Sequence, residues 1–199
     1  FRKPFYTFRQ RIRNKKLILG IKLFDKNVRI MKRRLNLIQG IYQGHRCFIM
    51  GNGPSLNKMD LELFKDEYVW GSNRCYLLFD RISWRPKLYT AVDTRVVPDN
   101  ADEINELAKE LKDSKFFFPV HFRFDKVLKS NKNVYWYKQI TLNDSNLPYS
   151  MFSTNADEFV YSVRSVTIAA LQLAVFLGFN PIYLIGCDTS YTVPKSVKF

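Results

Sequence analysis

The most distinctive polar segment of this 199-residue chain is the GNGPSL turn at residues 51–56, which directly follows a short buried strand predicted at Arg46–Met50. Glycines let a backbone approach a phosphate closely, and the N–H groups at the start of a following helix point at it. Pro54 and Ser55 suit the first turn of such a helix. The turn matches neither the GxGxxG nor the GxxxxGK(S/T) pattern. It therefore predicts an anion site of another kind, with a plain tight turn as the alternative.

Other polar residues share this position at the end of a predicted strand. Strands are predicted at Tyr68–Ser72, Leu88–Val92 and Pro181–Ile185. In parallel sheets, ligands bind beyond the carboxyl ends of the strands. The residues that this rule brings to one edge of the sheet are Gly51, Asn52, Gly53, Asn73, Arg74, Asp93 and Asp188. Each alone could be a cap or a turn residue, but together they predict a pocket.

A second anion-binding element is predicted at the start of the apolar helix Val163–Leu177, which carries Ser165 and Thr167. Hydroxyl groups and unpaired backbone N–H groups at a helix N-terminus can hold an anion. The predicted site thus combines a glycine turn with a helix start, two features that suit a bound phosphate.

Histidine, cysteine and metal-ligand patterns give no catalytic centre by themselves. His45 precedes the first strand and so lies at the wrong end of the sheet, whereas His121 follows a strand run and stays a candidate. Three widely spaced cysteines form no CxxC pair and are interpreted as free thiols of a reduced cytoplasm. We find no supported Ser/His/Asp arrangement and no paired metal ligands, so the catalytic residue is left unassigned.

Alternating strands and helices must position these residues. Besides the strands already named, Lys115–Val120 and Val134–Tyr137 predict strands, and Ala101–Leu111 predicts an amphipathic helix. Such alternation implies the α/β class, with a Rossmann-like, mostly parallel sheet and helices on both faces. With 46% apolar and 16% aromatic residues, the composition excludes a disordered or collagen-like chain.

The positive charge of the chain is concentrated in its N-terminal quarter. The net charge is +14, and residues 1–46 hold 14 of the 32 Lys and Arg residues with one acid, Asp25. This asymmetry predicts a basic amphipathic helical extension over residues 1–44, which precedes a nearly neutral globular domain over residues 45–199. The C-terminal part of that domain is expected to be missing. An extension of this kind favours an anionic membrane surface over nucleic acid as its partner.

A heptad seam runs through the extension. Its apolar residues alternate in spacing between four and three, which only a helix places on one side: Leu17, Ile21, Phe24, Val28, Met31, Leu35, Ile38 and Tyr42. The seam is expected to pack on the chain's own domain or on a second copy. A basic amphipathic helix on an anionic leaflet is the functional alternative. The two are compatible, because basic residues between the seam positions can face lipid.

The segment CFIMGNGPSL at residues 47–56 resembles the signature of the hydroxymethylpterin diphosphokinase MptE-like family. Further pieces of the resemblance are GSNRCY at residues 71–76, WRPKLY at residues 84–89 with Asp93, and LGFNPIYLIGCD at residues 177–188. The pieces occur in order over roughly residues 44–191. The layout is also similar to bacterial lipooligosaccharide sialyltransferases and Maf-type flagellin glycosyltransferases, which use CMP-activated nonulosonic sugars.

The resemblance implies that residues 45–199 form a nucleotide-binding domain, and it implies a role for most of the candidate residues. A nucleotide would be lined by Gly51, Asn52, Gly53, Pro54 and Ser55, with Asn73 beside it, and its phosphate would be held by Ser165, Val166 and Thr167. Candidates for contact with substrate or a metal are Asp93, Asp188 and Arg74. The sialyltransferases carry a general-base histidine after the strand that matches Ile182–Asp188, and this chain has no histidine there.

Three functions follow from these observations. The preferred one is a cytoplasmic, nucleotide-sugar-dependent glycosyltransferase of bacterial surface-glycan biosynthesis. It would use a CMP-sugar donor and a glycan or lipid-linked acceptor, and the basic helix would hold it at the inner face of the membrane. The second is an MptE-like transfer of diphosphate from ATP to a pterin alcohol, with Mg²⁺ held by carboxylates. The third is a non-catalytic nucleotide-binding scaffold that forms a homo-oligomer through the seam.

Overall fold

The computed structural model describes residues 26–141, 151–162 and 165–188, and its centre is a parallel sheet. The strands are β1 (Cys47–Met50), β2 (Val69–Ser72), β3 (Leu88–Thr90), β4 (Lys115–Pro119), β5 (Val134–Tyr137), β6 (Gln139–Thr141), β7 (Val160–Ser162) and β8 (Ile182–Ile185). Six of them form one sheet in the order β5-β4-β3-β2-β1-β8, and all neighbours are parallel. The predicted Rossmann-like α/β fold is confirmed.

Helices cover both faces of this sheet. They are α1 (Lys26–Asn36), α2 (Val96–Asp99), α3 (Ala101–Glu110), α4 (His121–Phe124) and α5 (Val166–Phe176). On one face, Ile104 of α3 packs in the same cluster as Tyr89 and Phe116. On the other face, Leu173 of α5 packs with Trp70. Successive strand residues point to opposite faces, so each strand contributes to both clusters.

The second half of the heptad seam belongs to the core of this domain. Met31, Leu35, Ile38 and Tyr42 are buried, and α1 packs beside the outer strand β5. The helix ends at Asn36, and a series of turns follows it. In these turns, backbone N–H groups of residues 40 and 42 donate to carbonyl groups at the end of α5. The first three seam residues, Leu17, Ile21 and Phe24, lie outside the described residues.

The prediction of an α-helix after the glycine turn is wrong. Two short 3₁₀ helices, Pro54–Lys58 and Leu61–Phe64, stand in its place. Between them Met59 has an extended backbone, and the Asp60 side chain accepts a hydrogen bond from the backbone N–H of Glu62. This local cap starts a new turn and so prevents one continuous α-helix. The GNGPSL turn is therefore not followed by the α-helix whose first N–H groups were expected to point at a phosphate.

Two other predicted boundaries differ from the structure. The strand predicted at Leu88–Val92 ends at Thr90, because Asp93 begins a turn into α2 by accepting hydrogen bonds from two backbone N–H groups. Helix α5 begins at Val166, after Ser165 in an extended conformation. No helix within the described residues is both long enough and apolar enough to cross a membrane.

A small second sheet, which the sequence analysis missed, is fixed to α5 by one buried glutamine. Strands β6 and β7 pair in parallel. The Gln172 side chain is fully buried, and its oxygen accepts hydrogen bonds from the backbone N–H groups of Ser153 and Tyr161. Its amide group donates to the carbonyl oxygens of Tyr161 and Ile168. One side chain thus ties α5 to the edge of the second sheet.

Candidate functional site

A cleft of about 1160 Å³ opens at the carboxyl ends of the central strands, in front of the start of α5. Most of the predicted site residues line it: Gly51, Asn52, Gly53, Pro54, Asn73, Asp93, Ser165, Val166, Thr167 and Asp188. Ser55 and Arg74 are not among the lining residues. The cleft therefore lies where ligands are expected to bind in a parallel sheet, beyond the carboxyl ends of the strands.

The glycine turn lies directly against the turn that follows β8. The backbone N–H of Gly51 donates to the carbonyl of Ile185 over 2.8 Å, and that of Gly53 donates to the carbonyl of Gly186 over 2.9 Å. A Cβ atom on Gly51 would lie 2.3 Å from the Gly186 oxygen. The glycines therefore serve this close approach of two chain segments, in addition to any ligand.

Ser55 holds Asp188 in place at this junction. Its backbone N–H donates to the Asp188 carboxylate over 2.9 Å. Hydrogen bonds from the Ser55 hydroxyl and backbone, together with nearby Lys58, lower the pKa of Asp188. Asp188 is therefore ionised at neutral pH and adds a negative charge to the cleft wall. Ser55 acts in this structure by positioning that carboxylate.

Asp93 is the second carboxylate of the cleft. One of its oxygens accepts hydrogen bonds from the backbone N–H groups of Val96, at 3.0 Å, and Arg95, at 2.7 Å. These bonds lower the pKa of Asp93, and the Arg95 guanidinium acts in the same direction. Among the described residues, the other carboxylate oxygen accepts no hydrogen bond, so it can bind a ligand or water.

Two amide oxygens at the cleft are buried without a hydrogen-bond partner among the described residues. They are Oδ1 of Asn73 and Oε1 of Gln139. Asn73 has a left-handed backbone with φ of 47°, and Tyr89 donates a hydrogen bond to its carbonyl. A buried acceptor without a donor costs about 1–3 kcal/mol. A ligand that brings N–H or O–H groups to these two oxygens would remove that cost.

The start of α5 is the positive end of the site. The Ser165 side chain makes no capping hydrogen bond, and the first turn of the helix contains no acidic residue. The first N–H groups of an α-helix have no partner within the helix, and its dipole is equivalent to about half a positive charge there. Ser165, Thr167 and the helix backbone can therefore bind a negatively charged group together.

Neither histidine lines the cleft. The His45 carbonyl accepts a hydrogen bond from the backbone N–H of Asn180, at the opposite end of the sheet, as predicted. His121 starts α4 after β4 and lies outside the lining residues. Among the described residues, no group of three or more His, Cys, Asp or Glu side chains is placed to hold a metal ion.

Several lining residues were absent from the sequence-based candidates, among them Gln139, Arg95 and Cys187. Cys187 directly precedes Asp188, and Arg95 lies two residues after Asp93, so their distance from a strand end could have indicated them. Gln139 gave no such signal, because the short strand β6 that carries it was not predicted.

Comparison with known proteins agrees with the fold and with the resemblance. The family described as 6-hydroxymethylpterin diphosphokinase MptE-like matches residues 22–194. Among solved structures, a MAf glycosyltransferase from Magnetospirillum magneticum AMB-1 is similar, with a TM-score of 0.50 and 16% sequence identity. That similarity covers 82% of this chain but only 28% of the other chain. No curated protein matches the sequence.

Proposed function

The chain belongs to the 6-hydroxymethylpterin diphosphokinase MptE-like family, and from this premise we propose that it is a nucleotide-sugar-dependent glycosyltransferase. The proposed donor is a CMP-sugar, and the proposed acceptor is a hydroxyl group of a glycan or lipid-linked glycan. The fold shared with a MAf glycosyltransferase supports sugar transfer as the reaction class.

The observation that carries the proposal is the start of α5 at the cleft. Ser165 lies beside a helix N-terminus that has no acidic residue in its first turn, and its hydroxyl is not used to cap the helix. Such a site attracts an anion, and a nucleotide phosphate has the required charge and acceptor oxygens. Thr167 follows Ser165 by two residues and lines the same cleft.

Other lining residues of the cleft suit the uncharged parts of a nucleotide. The side-chain oxygens of Asn73 and Gln139 have no hydrogen-bond donor among the described residues. They could therefore accept hydrogen bonds from a ligand group such as the exocyclic amine of cytosine or a ribose hydroxyl. Val92 and Leu171 supply apolar surface to the same cleft.

In the proposed reaction, the bond between the sugar's anomeric carbon and the donor phosphate oxygen breaks. A bond forms from that carbon to the acceptor oxygen, and the acceptor proton passes to a general base. The start of α5 would stabilise the charge that develops on the departing CMP phosphate. Asp93 and Asp188 have lowered pKa values, which makes them weak bases but good acceptors for sugar hydroxyl groups.

A second candidate follows from the same two carboxylates. Mg²⁺ is commonly held by one or two carboxylates together with substrate phosphates. Asp93 and Asp188 could hold it in this way in a diphosphate transfer from ATP to a pterin alcohol, the activity for which the family is described. The bound metal would neutralise phosphate charge in that reaction.

A donor-turnover assay tests the proposal. The full chain is incubated with CMP-N-acetylneuraminate and an acceptor glycan with free hydroxyl groups, and free CMP is measured. In parallel, the chain is incubated with ATP, Mg²⁺ and hydroxymethylpterin, and AMP is measured. We expect CMP release without a metal requirement, at a rate that falls at least about tenfold in Asn52→Ala. Asn57→Ala, an exposed asparagine outside the cleft, is the matched control. AMP release without CMP release would move the assignment to diphosphate transfer.

A further inference from the structure

Helix α1 and the turns after it expose a second apolar surface that is separate from the buried seam. Its members are Ile30, Leu37 and Ile41, with exposed fractions of 45%, 80% and 43%. Ile30 and Leu37 are seven residues apart, which is two helical turns, and the backbone N–H of Leu37 still bonds to the carbonyl of Arg33, so the two side chains lie on one side of the helix. Ile41 lies in the turns that follow. We call these three residues the outer stripe. Since the seam packs in the core, the outer stripe is the apolar surface that remains available on this segment.

Basic side chains border the outer stripe. Arg29 and Arg33 are exposed, and α1 contains no acidic residue. Arg34 donates a hydrogen bond to the carbonyl of Lys132, which brings the basic loop 129–132 next to the helix. Lys32 is different, because it forms ion pairs with Asp157 and Glu158.

We propose that the outer stripe and its arginines bind an anionic lipid surface. Apolar side chains that project from a helix between basic residues insert at the boundary of headgroups and acyl chains, and the basic residues pair with anionic headgroups. Eight further Lys and Arg residues precede Lys26 in the sequence.

The same residues argue against two other partners for this surface, a second copy of the chain and nucleic acid. Pairing of two copies through the outer stripe would bring Arg29 and Arg33 of one chain close to the same residues of the other, without an acid on α1 to offset them. Nucleic acid would use the arginines but would leave Leu37 exposed. An anionic leaflet satisfies both the apolar and the basic residues.

Sedimentation of the full chain with vesicles tests this inference. Vesicles of phosphatidylcholine mixed with phosphatidylglycerol are compared with vesicles of phosphatidylcholine alone. We expect binding to the anionic vesicles only, weakened by salt. The double variant Leu37→Ser/Ile41→Ser and the double variant Arg29→Gln/Arg33→Gln should each reduce the partition constant on the order of tenfold.

Matched control variants distinguish binding through the outer stripe from nonspecific adsorption to vesicles. Leu63, on the 3₁₀ helix Leu61–Phe64, and Leu77, on a further 3₁₀ helix at Cys75–Leu78, are exposed to 77% and 59%, so Leu63→Ser/Leu77→Ser is the apolar control. Lys65→Gln/Lys112→Gln removes two exposed charges elsewhere. No vesicle binding, or equal loss in the stripe and control variants, would overturn the inference. A change of oligomer mass in Leu37→Ser/Ile41→Ser without a change in vesicle binding would assign the stripe to a second copy.

Discussion

Residues at the cleft fall into two groups, those that hold other side chains in place and those whose polar atoms are available to a ligand. Ser55 and the backbone N–H groups of residues 95 and 96 hold two carboxylates in fixed positions. In contrast, Ser165, Asn73 and Gln139 carry polar atoms that the described fold does not use. Residues of the first kind should affect stability when changed, whereas residues of the second kind should mainly affect ligand binding.

Asp93 should stabilise the domain in a pH-dependent way. Its lowered pKa means that its contribution is complete above the usual carboxyl pKa and is lost as the pH falls through the lowered value. We expect Asp93→Ala to reduce the free energy of unfolding by about 1 kcal/mol at neutral pH, as other helix caps do. The difference from wild type should shrink below about pH 4.

Denaturant unfolding at several pH values measures this effect. Asp99→Ala removes an exposed aspartate from the same helix and is the matched control. An Asp93→Ala difference that stays constant from neutral to acidic pH would show that the carboxylate charge plays no part.

At the level of elements, the cleft depends on contacts between loops that come from distant parts of the sequence. The GNGPSL turn rests on the turn after β8, and the second sheet rests on α5 through Gln172. A sequence pattern shows strands and helices through periodicity, but these contacts have no periodic signal. The strand ends were therefore predictable, whereas the junctions between them were not.

Gly53 tests the junction of the two turns. Its φ of −76° is open to any residue, but a Cβ atom would lie 2.4 Å from the Asp188 carboxylate and 2.7 Å from the Gly186 carbonyl. We expect Gly53→Ala to destabilise the protein by about 1–3 kcal/mol through overpacking and to weaken nucleotide binding. Thermal unfolding and nucleotide titration measure the two effects.

Gly44→Ala provides the contrast. A Cβ atom there meets no neighbour within 4 Å, but the backbone has a φ of +80°. This variant should lose about 1 kcal/mol from backbone strain and keep its nucleotide affinity. If Gly53→Ala kept the wild-type affinity as well, the turn would not form part of the binding site.

Gln172 tests the attachment of the second sheet. Gln172→Leu keeps a similar shape but leaves two backbone N–H groups without their acceptor. Because an unsatisfied buried group costs about 1–3 kcal/mol, we expect a loss of about 3 kcal/mol or more in unfolding free energy. Gln39→Leu, at an exposed position, should change the stability by less than about 0.5 kcal/mol. Equal effects of the two variants would contradict the proposed attachment.

At the scale of the whole molecule, α/β alternation and apolar content were enough to predict a parallel sheet with helices on both faces. The alternation of runs such as Cys47–Met50 and Val134–Tyr137 with amphipathic segments carried that prediction. The 3₁₀ helices after residue 53 and the strands β6 and β7 were not predictable in this way. Their formation depends on a cap at Asp60 and on hydrogen bonds to Gln172, which are tertiary or very local features.

The reactivity of the three cysteines tests both the packing of the core and the accessibility of the cleft. Burial raises the pKa of the Cys47 and Cys75 thiols to about 12, whereas Cys187 lines the cleft and is only half-buried. We expect iodoacetamide to label one thiol per native chain, and expect Cys187→Ser to abolish this labelling. CMP should slow the reaction. Labelling of Cys47 or Cys75 in the native protein would contradict the described packing.

The most direct test of the nucleotide site is calorimetric titration of the full chain with CMP, CDP, UDP, GDP and ATP, with and without Mg²⁺. Ser165→Ala and Ser130→Ala are titrated in parallel, and both should keep the wild-type melting temperature because neither hydroxyl caps or ties the described fold. We predict metal-independent CMP binding that weakens at least about tenfold in Ser165→Ala and is unchanged in Ser130→Ala. Binding that requires Mg²⁺ and ATP, equal affinity in the two variants, or no nucleotide binding at all would contradict a phosphate site for CMP at the start of α5.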